Sequence, residues 1–199
     1  MTRTDPAART TSTAADPDHE PVVASDPVDR LRRLIRDVPD FPRAGIMFRD
    51  FTPLLADPAG LALAVELMAN PFRGRGVELV LGAESRGFIF GTAIAQSLSA
   101  GFVPIRKKGK LPHTVDGVDY ELEYGSDRLE IHSDALRPGQ RVLLVDDLVA
   151  TGGTLDACGT LIERAGGSLV GISVLIELSG LDGRAALRRF GELRSVIRY

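Results

Sequence analysis

Tryptophan is absent from this sequence, cysteine occurs once (Cys158), and aromatic residues make up only 6%. One cysteine cannot close an intrachain disulfide, which excludes a stapled secreted scaffold and points to a reducing compartment, read here as the cytoplasm. No apolar run approaches the ~20 residues needed to cross a bilayer, so no membrane partner is expected. A basic excess is missing too: 24 Lys plus Arg stand against 27 Asp plus Glu, for a formal charge of −3. Nucleic-acid binders usually carry the opposite balance, so no nucleic-acid partner is expected. Internal repeats are also lacking. What remains is 199 residues, 44% hydrophobic with 21 glycines, enough for one domain with a sizeable core.

The charge is unevenly placed. Residues 1–29 contain two basic residues (Arg3, Arg9) and six acidic ones (Asp5, Asp16, Asp18, Glu20, Asp26, Asp29). Removing these from the totals leaves 22 basic and 21 acidic residues from Arg30 onward. The first 29 residues have no Leu, Ile, Phe or Tyr, so they cannot bury enough apolar surface to offset the entropy of ordering. They are expected to form a disordered acidic tail, with neither the apolar stretch of a signal peptide nor the basic character of a transit peptide. Residues 30–199 are expected to form a single domain, its first helix starting near Val28.

Along that domain, Leu31, Leu34 and Ile35 fall on one helical face, and Asp40–Gly45 reads as a loop punctuated by Pro42 and Gly45. Asp57 and Pro58 predict the cap and first turn of a helix whose stripe is Leu61, Val65 and Met68. Short apolar runs then alternate with helical patterns: strands at Val77–Leu81, Phe102–Ile105, Arg141–Val145 and Leu169–Ile176, helices at Phe88–Leu98 and around Leu155–Ile162. Runs apolar on both faces, alternating with helices, predict a doubly wound α/β domain with a mostly parallel sheet. One segment departs from this, the polar stretch Lys107–Gly125, which reads as a functional lid or a disordered excursion.

The most informative segment is Val142-Leu-Leu-Val-Asp146-Asp147-Leu-Val-Ala150-Thr151-Gly152-Gly153-Thr154. A hydrophobic strand ends in two adjacent carboxylates, and a hydroxyl- and glycine-rich loop then opens into a helix. Ligands of open α/β sheets bind beyond the carboxyl ends of strands. Loop N–H groups and a helix N-terminus form an anion site suited to a monophosphate. The carboxylates suit ribose hydroxyls, or Mg²⁺ held directly or through water. No Gly-Lys-Thr/Ser follows at the spacing of a nucleotide-binding P-loop.

This thirteen-residue pattern resembles the phosphoribosyl diphosphate (PRPP) signature of the type I phosphoribosyltransferases. Three further motifs in family order resemble the members that act on adenine: Asp40-Phe41-Pro42 with Gly45-Ile46 and Phe48-Arg49-Asp50, then Glu84-Ser85-Arg86-Gly87-Phe88, then Arg106-Lys107-Lys108-Gly109-Lys110-Leu111-Pro112 with Leu122-Glu123-Tyr124-Gly125. The resemblance implies a type I phosphoribosyltransferase fold with a small N-terminal hood (about residues 37–53) and a mobile catalytic loop (107–125). It implies transfer of the 5-phosphoribosyl group from PRPP to adenine, giving AMP and pyrophosphate with Mg²⁺, in a homodimer.

Roles follow residue by residue from that resemblance. Asp146, Asp147, Ala150, Thr151, Gly152, Gly153 and Thr154 take the ribose and 5′-phosphate of PRPP. Glu84, Ser85, Arg86, Arg106, Lys107 and Lys110 take the pyrophosphate, Lys108 being less constrained, and a cis peptide is expected around Glu84–Ser85. Guanidinium pairs with phosphate in a fork, which suits Arg86 to the leaving group. Met47, Phe48 and Arg49 take adenine through backbone groups and an apolar stack. Backbone partners matched to adenine's N6 donor and N1 acceptor meet a 6-oxopurine with mismatched polarity. Glu123 and Tyr124 are the catalytic pair, Glu123 handling the proton of the base and Tyr124 positioning it. Spacing alone does not separate Glu123 from its acidic neighbours Asp119, Glu121 and Asp127; the Leu-Glu-Tyr-Gly context does. His113-Thr114 departs from the small residues usual after Leu-Pro in this loop, Cys158 reads as a small core hydrophobe, and His19 and His132 receive no role. The alternatives are a noncatalytic PRPP-sensing regulator and a phosphoribosyltransferase for a 6-oxopurine or orotate.

Overall fold

The computed structural model describes residues 26–122 and 125–199. The tail reading at 1–25 and the catalytic pair Glu123 and Tyr124 lie outside the described residues. The first helix, α1 (Pro27–Arg33), takes in three residues that composition placed in the tail. Pro27 is pre-set for a first helical turn, and the Asp26 carboxylate accepts the Val28 N–H at 2.9 Å, so the cap lies inside the acidic stretch.

Two strands without a sequence assignment follow: β1 (Arg36–Pro39) and β2 (Met47–Asp50) pair antiparallel, with Asp37 opposite Arg49 and Val38 opposite Phe48. The Asp40–Gly45 connection is irregular, as expected. Next come α2 (Thr52–Ala56) and α3 (Pro58–Ala69). Asp57 caps α3 through the Gly60 N–H, as predicted; Met68 is buried together with Gly60, Ala64 and Ala69, and Leu61 and Val65 are partly buried against the same core. Small residues let α3 sit close: a Cβ at Gly60 would stand 2.5 Å from Leu34.

The main sheet has seven strands: β3 (Leu79–Ala83), β4 (Gly101–Lys107), β5 (Val115–Leu122), β6 (Gly125–His132), β7 (Arg141–Val149), β8 (Ser168–Glu177) and β9 (Leu193–Arg198), in spatial order β5-β6-β4-β3-β7-β8-β9. The five strands β4-β3-β7-β8-β9 are parallel, while β6 runs antiparallel to both β4 and β5. Helices α4 (Gly87–Leu98) and α5 (Gly153–Arg164) follow β3 and β7, and a short α6 (Gly183–Ala186) precedes β9.

Period-2 alternation divides the core between the two faces. Val142 and Leu144 of β7 join Leu155, Cys158, Leu161 and Ile162 of α5, whereas Leu143 and Val145 join Met68 of α3 and Phe90 and Ile94 of α4. The mostly parallel, doubly covered sheet is therefore the expected one. In the polar stretch after β4, residues 115–122 form β5, which pairs with β6 as a hairpin, so this part is ordered strand and not a disordered excursion. Val118 and Tyr120 pack against the core while Asp119 between them faces outward and pairs with Arg128 of β6; the charged Asp116, on the same side as Val118, interrupts the apolar pattern.

Candidate active site

The chain leaves β3 toward β4 on one side, while β7 lies on the other. Strand order reverses there, and a crevice opens beyond the carboxyl ends of β3 and β7. It is a cavity of about 290 Å³, lined by Glu84, Ser85 and Arg86 from one loop and by Asp146 to Leu155 from the other strand, loop and helix.

The second wall differs from expectation in one respect. The carboxylates do not end the strand: β7 continues through Val149, because Leu148 and Val149 still pair with Ile176 and Glu177 of β8. Asp146 and Asp147 are both nearly inaccessible. Asp146 Oδ1 accepts the Asp147 N–H at 2.9 Å. Burial, reinforced by the adjacent Asp147 charge, pushes the Asp146 carboxyl well above its ordinary range. Asp147 Oδ2 lies 2.9 Å from Arg86 Nε without the alignment of a hydrogen bond. A buried carboxylate oxygen thus faces a cation across the crevice, with its hydrogen-bonding capacity unspent.

Gly152 takes φ +91° at the cap position of α5, and no side chain caps this helix. The first-turn N–H groups consequently remain open toward the cavity, the arrangement that receives a phosphate. The loop rests on α6: a Cβ at Gly183 would stand 2.3 Å from the Ala150 carbonyl oxygen. Sequence reading had no signal for that support, since Gly183 lies 30 residues beyond Gly153.

The first wall starts at the Glu84–Ser85 peptide, which is cis. Glu84 does not stand free. Its carboxylate accepts the Lys107 N–H at 3.0 Å and faces Arg106 Nε at 3.2 Å. Burial alone would raise the Glu84 pKa, but these two partners outweigh it and hold the carboxyl below its usual value. Arg106 also donates to the Lys110 carbonyl at 3.0 Å. Lys107 Nζ pairs with Asp127 of β6 at 3.1 Å. The basic cluster therefore adjoins the crevice without lining it, each of Arg106 and Lys107 already facing an acid. Asp127 is half-buried, and across the hairpin it is in register with Tyr120. Neither residue was singled out for the site from sequence.

Met47, Phe48 and Arg49 lie on β2, apart from the cavity lining. Phe41 and Phe48 make an edge-to-face contact at 5.1 Å, and Phe41 and Met47 remain about half exposed. Phe51, just beyond β2, reaches toward the crevice, with the Arg86 guanidinium 5.9 Å from its ring centroid. Among the described residues no group of three or more His, Cys, Asp or Glu could hold a metal ion, and no helix is long and apolar enough to cross a membrane.

Residues 52–188 match the phosphoribosyl transferase domain family. An adenine phosphoribosyltransferase of Rhodopirellula baltica is 55% identical over 169 residues, 85% of this chain and 82% of the relative. The chain belongs to the adenine phosphoribosyltransferase family. The crystal structure of the Rhodothermus marinus adenine phosphoribosyltransferase superposes with a TM-score of 0.82 at 50% identity, over 87% of this chain and 98% of that one. The Saccharomyces cerevisiae enzyme, solved with an imino-altritol bisphosphate and adenine, gives 0.81 at 35% identity, over 86% and 98%. Adenine phosphoribosyltransferase membership accounts for both walls of the crevice, while β1, β2 and β9 fall outside the matched domain residues.

Proposed function

We propose that this protein transfers the 5-phosphoribosyl group of PRPP to adenine, releasing pyrophosphate and forming AMP, as a purine-salvage enzyme. The observation that carries this reading is the crevice, where an uncapped helix N-terminus and buried Asp146–Asp147 face Arg86 across about 290 Å³. The loop 150–154 and the first turn of α5 receive the 5′-phosphate. Asp146 and Asp147 hold the ribose 2′ and 3′ hydroxyls and stabilise the positive charge that develops at C1′. Arg86, with Ser85, takes the diphosphate as the C1′–O bond breaks. Arg106, Lys107 and Lys110 complete the clamp, and Glu84 holds the first two in place.

Adenine stacks on the apolar face of β2 around Phe48, and backbone groups of Met47 and Arg49 read its edge. N9 attacks C1′ while Glu123 accepts proton density from the base and Tyr124 keeps the lid aligned. A carboxylate on a closing loop reaches this basicity once water is excluded.

Mg²⁺ fits this donor set. Two adjacent carboxylates are too few for an all-protein cage, but they suit an ion that keeps waters and substrate oxygens, and Asp147 Oδ2 has capacity to spare. Asp146 or Asp147 would hold it, directly or through water, and bound with PRPP it would neutralise the departing diphosphate. A cytoplasmic homodimer belongs to the same reading, supported by the family resemblance and the single buried Cys158.

The test is AMP formation from adenine, PRPP and Mg²⁺, with hypoxanthine, guanine, xanthine and orotate as competitors. Turnover with adenine above all others is expected. Turnover confined to a 6-oxopurine or orotate rejects the substrate assignment, and PRPP binding with no turnover on any base supports the sensing regulator instead.

A further inference from the structure

β1 and β2, which carry the proposed base site, form a two-stranded sheet with no hydrogen-bond ladder to the seven-stranded one. Its placement on the domain therefore depends on side-chain contacts. One is Phe51, directly after β2, packed on Phe90 of α4 at 5.7 Å between ring centroids. Another involves Tyr199, the last residue of the sequence. The Arg49 guanidinium lies over the Tyr199 ring, 3.9 Å from its centroid. Arg49 is largely buried, and Asp37 of β1 holds the same guanidinium.

Tyr199 is itself fixed to the main sheet. Its N–H donates to the Glu177 carbonyl at 3.0 Å, and its carbonyl accepts the Ser179 N–H at 2.9 Å. Arg32 of α1 places a second guanidinium 5.0 Å from the same ring and donates to the Arg198 carbonyl at 3.2 Å. An aromatic face tied to β8 thus holds a cation on the strand that carries the base site, and a partly desolvated cation–π contact is stronger than an exposed one.

We infer that Tyr199 is a positioning residue for the base: its ring fixes Arg49, and through Arg49 the backbone of Met47–Arg49 against which adenine is read. The Arg49 guanidinium is held by Asp37 through Nη1 and by the Tyr199 ring, while its buried Nε makes no hydrogen bond, so the side chain is anchored at its tip and the adjoining main chain is positioned with it. Backbone groups discriminate bases only when their placement is held to a fraction of an ångström. This inference rests on the assignment of Met47–Arg49 to adenine.

Four variants test it: Tyr199→Leu, Tyr199→Phe, Phe48→Ala, and pentafluorophenylalanine at 199, which keeps the ring's size while reversing the polarity of its face. KM for adenine is expected to rise about tenfold in Tyr199→Leu and in the fluorinated protein, the effect of losing one partly buried cation–π contact. KM for PRPP and kcat should stay within about twofold, and Tyr199→Phe should restore the wild-type KM. An unchanged adenine KM in both perturbed proteins overturns the inference, as does an equal rise in both KM values. The fluorinated protein retains packing and decides the matter if Tyr199→Leu folds poorly. Phe48→Ala separates the two claims. If it raises the adenine KM while the Tyr199 variants do not, only the inference falls; if it has no effect, the base-site assignment falls with it.

Discussion

Arg86 and Asp147 meet at 2.9 Å across the crevice, joining the loop after β3 to the interior of β7. The Asp147 side chain is almost wholly buried while Arg86 is about half exposed, so the carboxylate is fixed and the guanidinium can turn. Arg86 therefore has two partners in prospect: Asp147 when the crevice is empty, and the diphosphate when PRPP arrives. A guanidinium offers five donors and can serve both at once. Arg86→Ala should lower kcat/KM for PRPP by about 100-fold, as expected for loss of a bidentate charge-assisted contact at a departing group. Arg86→Lys should recover only part of that, since an ammonium lacks the fork. Initial rates over a PRPP titration check this, and an Ala variant within threefold of wild type would remove Arg86 from the site.

Asp146 yields a prediction in which stability and activity move oppositely. Its folded-state pKa is raised above the ordinary 3.8 by burial and by Asp147. The folded state therefore binds this proton more tightly than the unfolded chain does. The resulting stability is present below 3.8 and is lost as pH climbs through the raised folded value. Asp146→Asn cannot ionise, and its amide oxygen can still accept the Asp147 N–H. The variant should gain stability over wild type as pH rises from acid to neutral, while losing at least about tenfold in kcat through removal of charge facing the ribosyl cation. Urea unfolding at several pH values and a turnover assay check the two halves. A stability difference that does not change with pH would contradict the first.

The legibility of this molecule in its sequence follows from how many faces of each element are buried. β7 and β8 are covered on both sides, so Val142–Val145 and Leu169–Ile176 stand out as apolar runs, and their positions were read to within a few residues. The Asp-Asp and Thr-Gly-Gly-Thr segment was legible because its chemistry is local: a strand, a positive-φ glycine and a helix start within nine residues of one another. In the hairpin β5–β6 and the edge strand β9, buried apolar residues are interleaved with charged ones, as with Leu129, Glu130 and Ile131. Arg194 and Arg198 interrupt Leu193 and Ile197, and the same mixture in Asp116–Tyr120 reads as polar loop. Partnerships between distant segments left no local signal at all, as with Gly183 beneath Ala150, Asp127 on Lys107 and Tyr199 under Arg49.

Glu177 anchors the far end of the sheet. Two Arg184 nitrogens reach its oxygens at 2.8 and 2.6 Å, and Arg198 lies at 3.1 Å. The Arg184 hydrogen bonds outweigh burial and lower its pKa from 4.5 to about 2. A depressed carboxylate contributes stability that is complete above 4.5 and lost as pH falls through about 2. Glu177→Gln should therefore cost on the order of 2 kcal/mol at pH 7, discounted for the partly exposed arginines, with the deficit shrinking through the acid range. Chemical denaturation of both proteins at neutral and acidic pH checks it. A deficit that persists undiminished at the acid end would mean that shape, not charge, is what Gln fails to supply.

The proposed function assigns the proton of the base to Glu123, and the prediction for it is one of kinetics. If this carboxylate takes proton density from the base, Glu123→Gln keeps its size and hydrogen-bonding reach but removes its basicity. General-base catalysis of this kind contributes about 10² to 10⁴ in rate, so kcat should fall within that range. In the proposed function PRPP is held elsewhere, by the 150–154 loop and the first turn of α5, so its dissociation constant should stay within about threefold, since no phosphate contact is removed. Single-turnover AMP formation and a separate PRPP-binding titration resolve the two quantities. Parallel loss of turnover and PRPP affinity would show that Glu123 only shapes the lid, and the proton would then have to leave adenine by way of water or substrate oxygen.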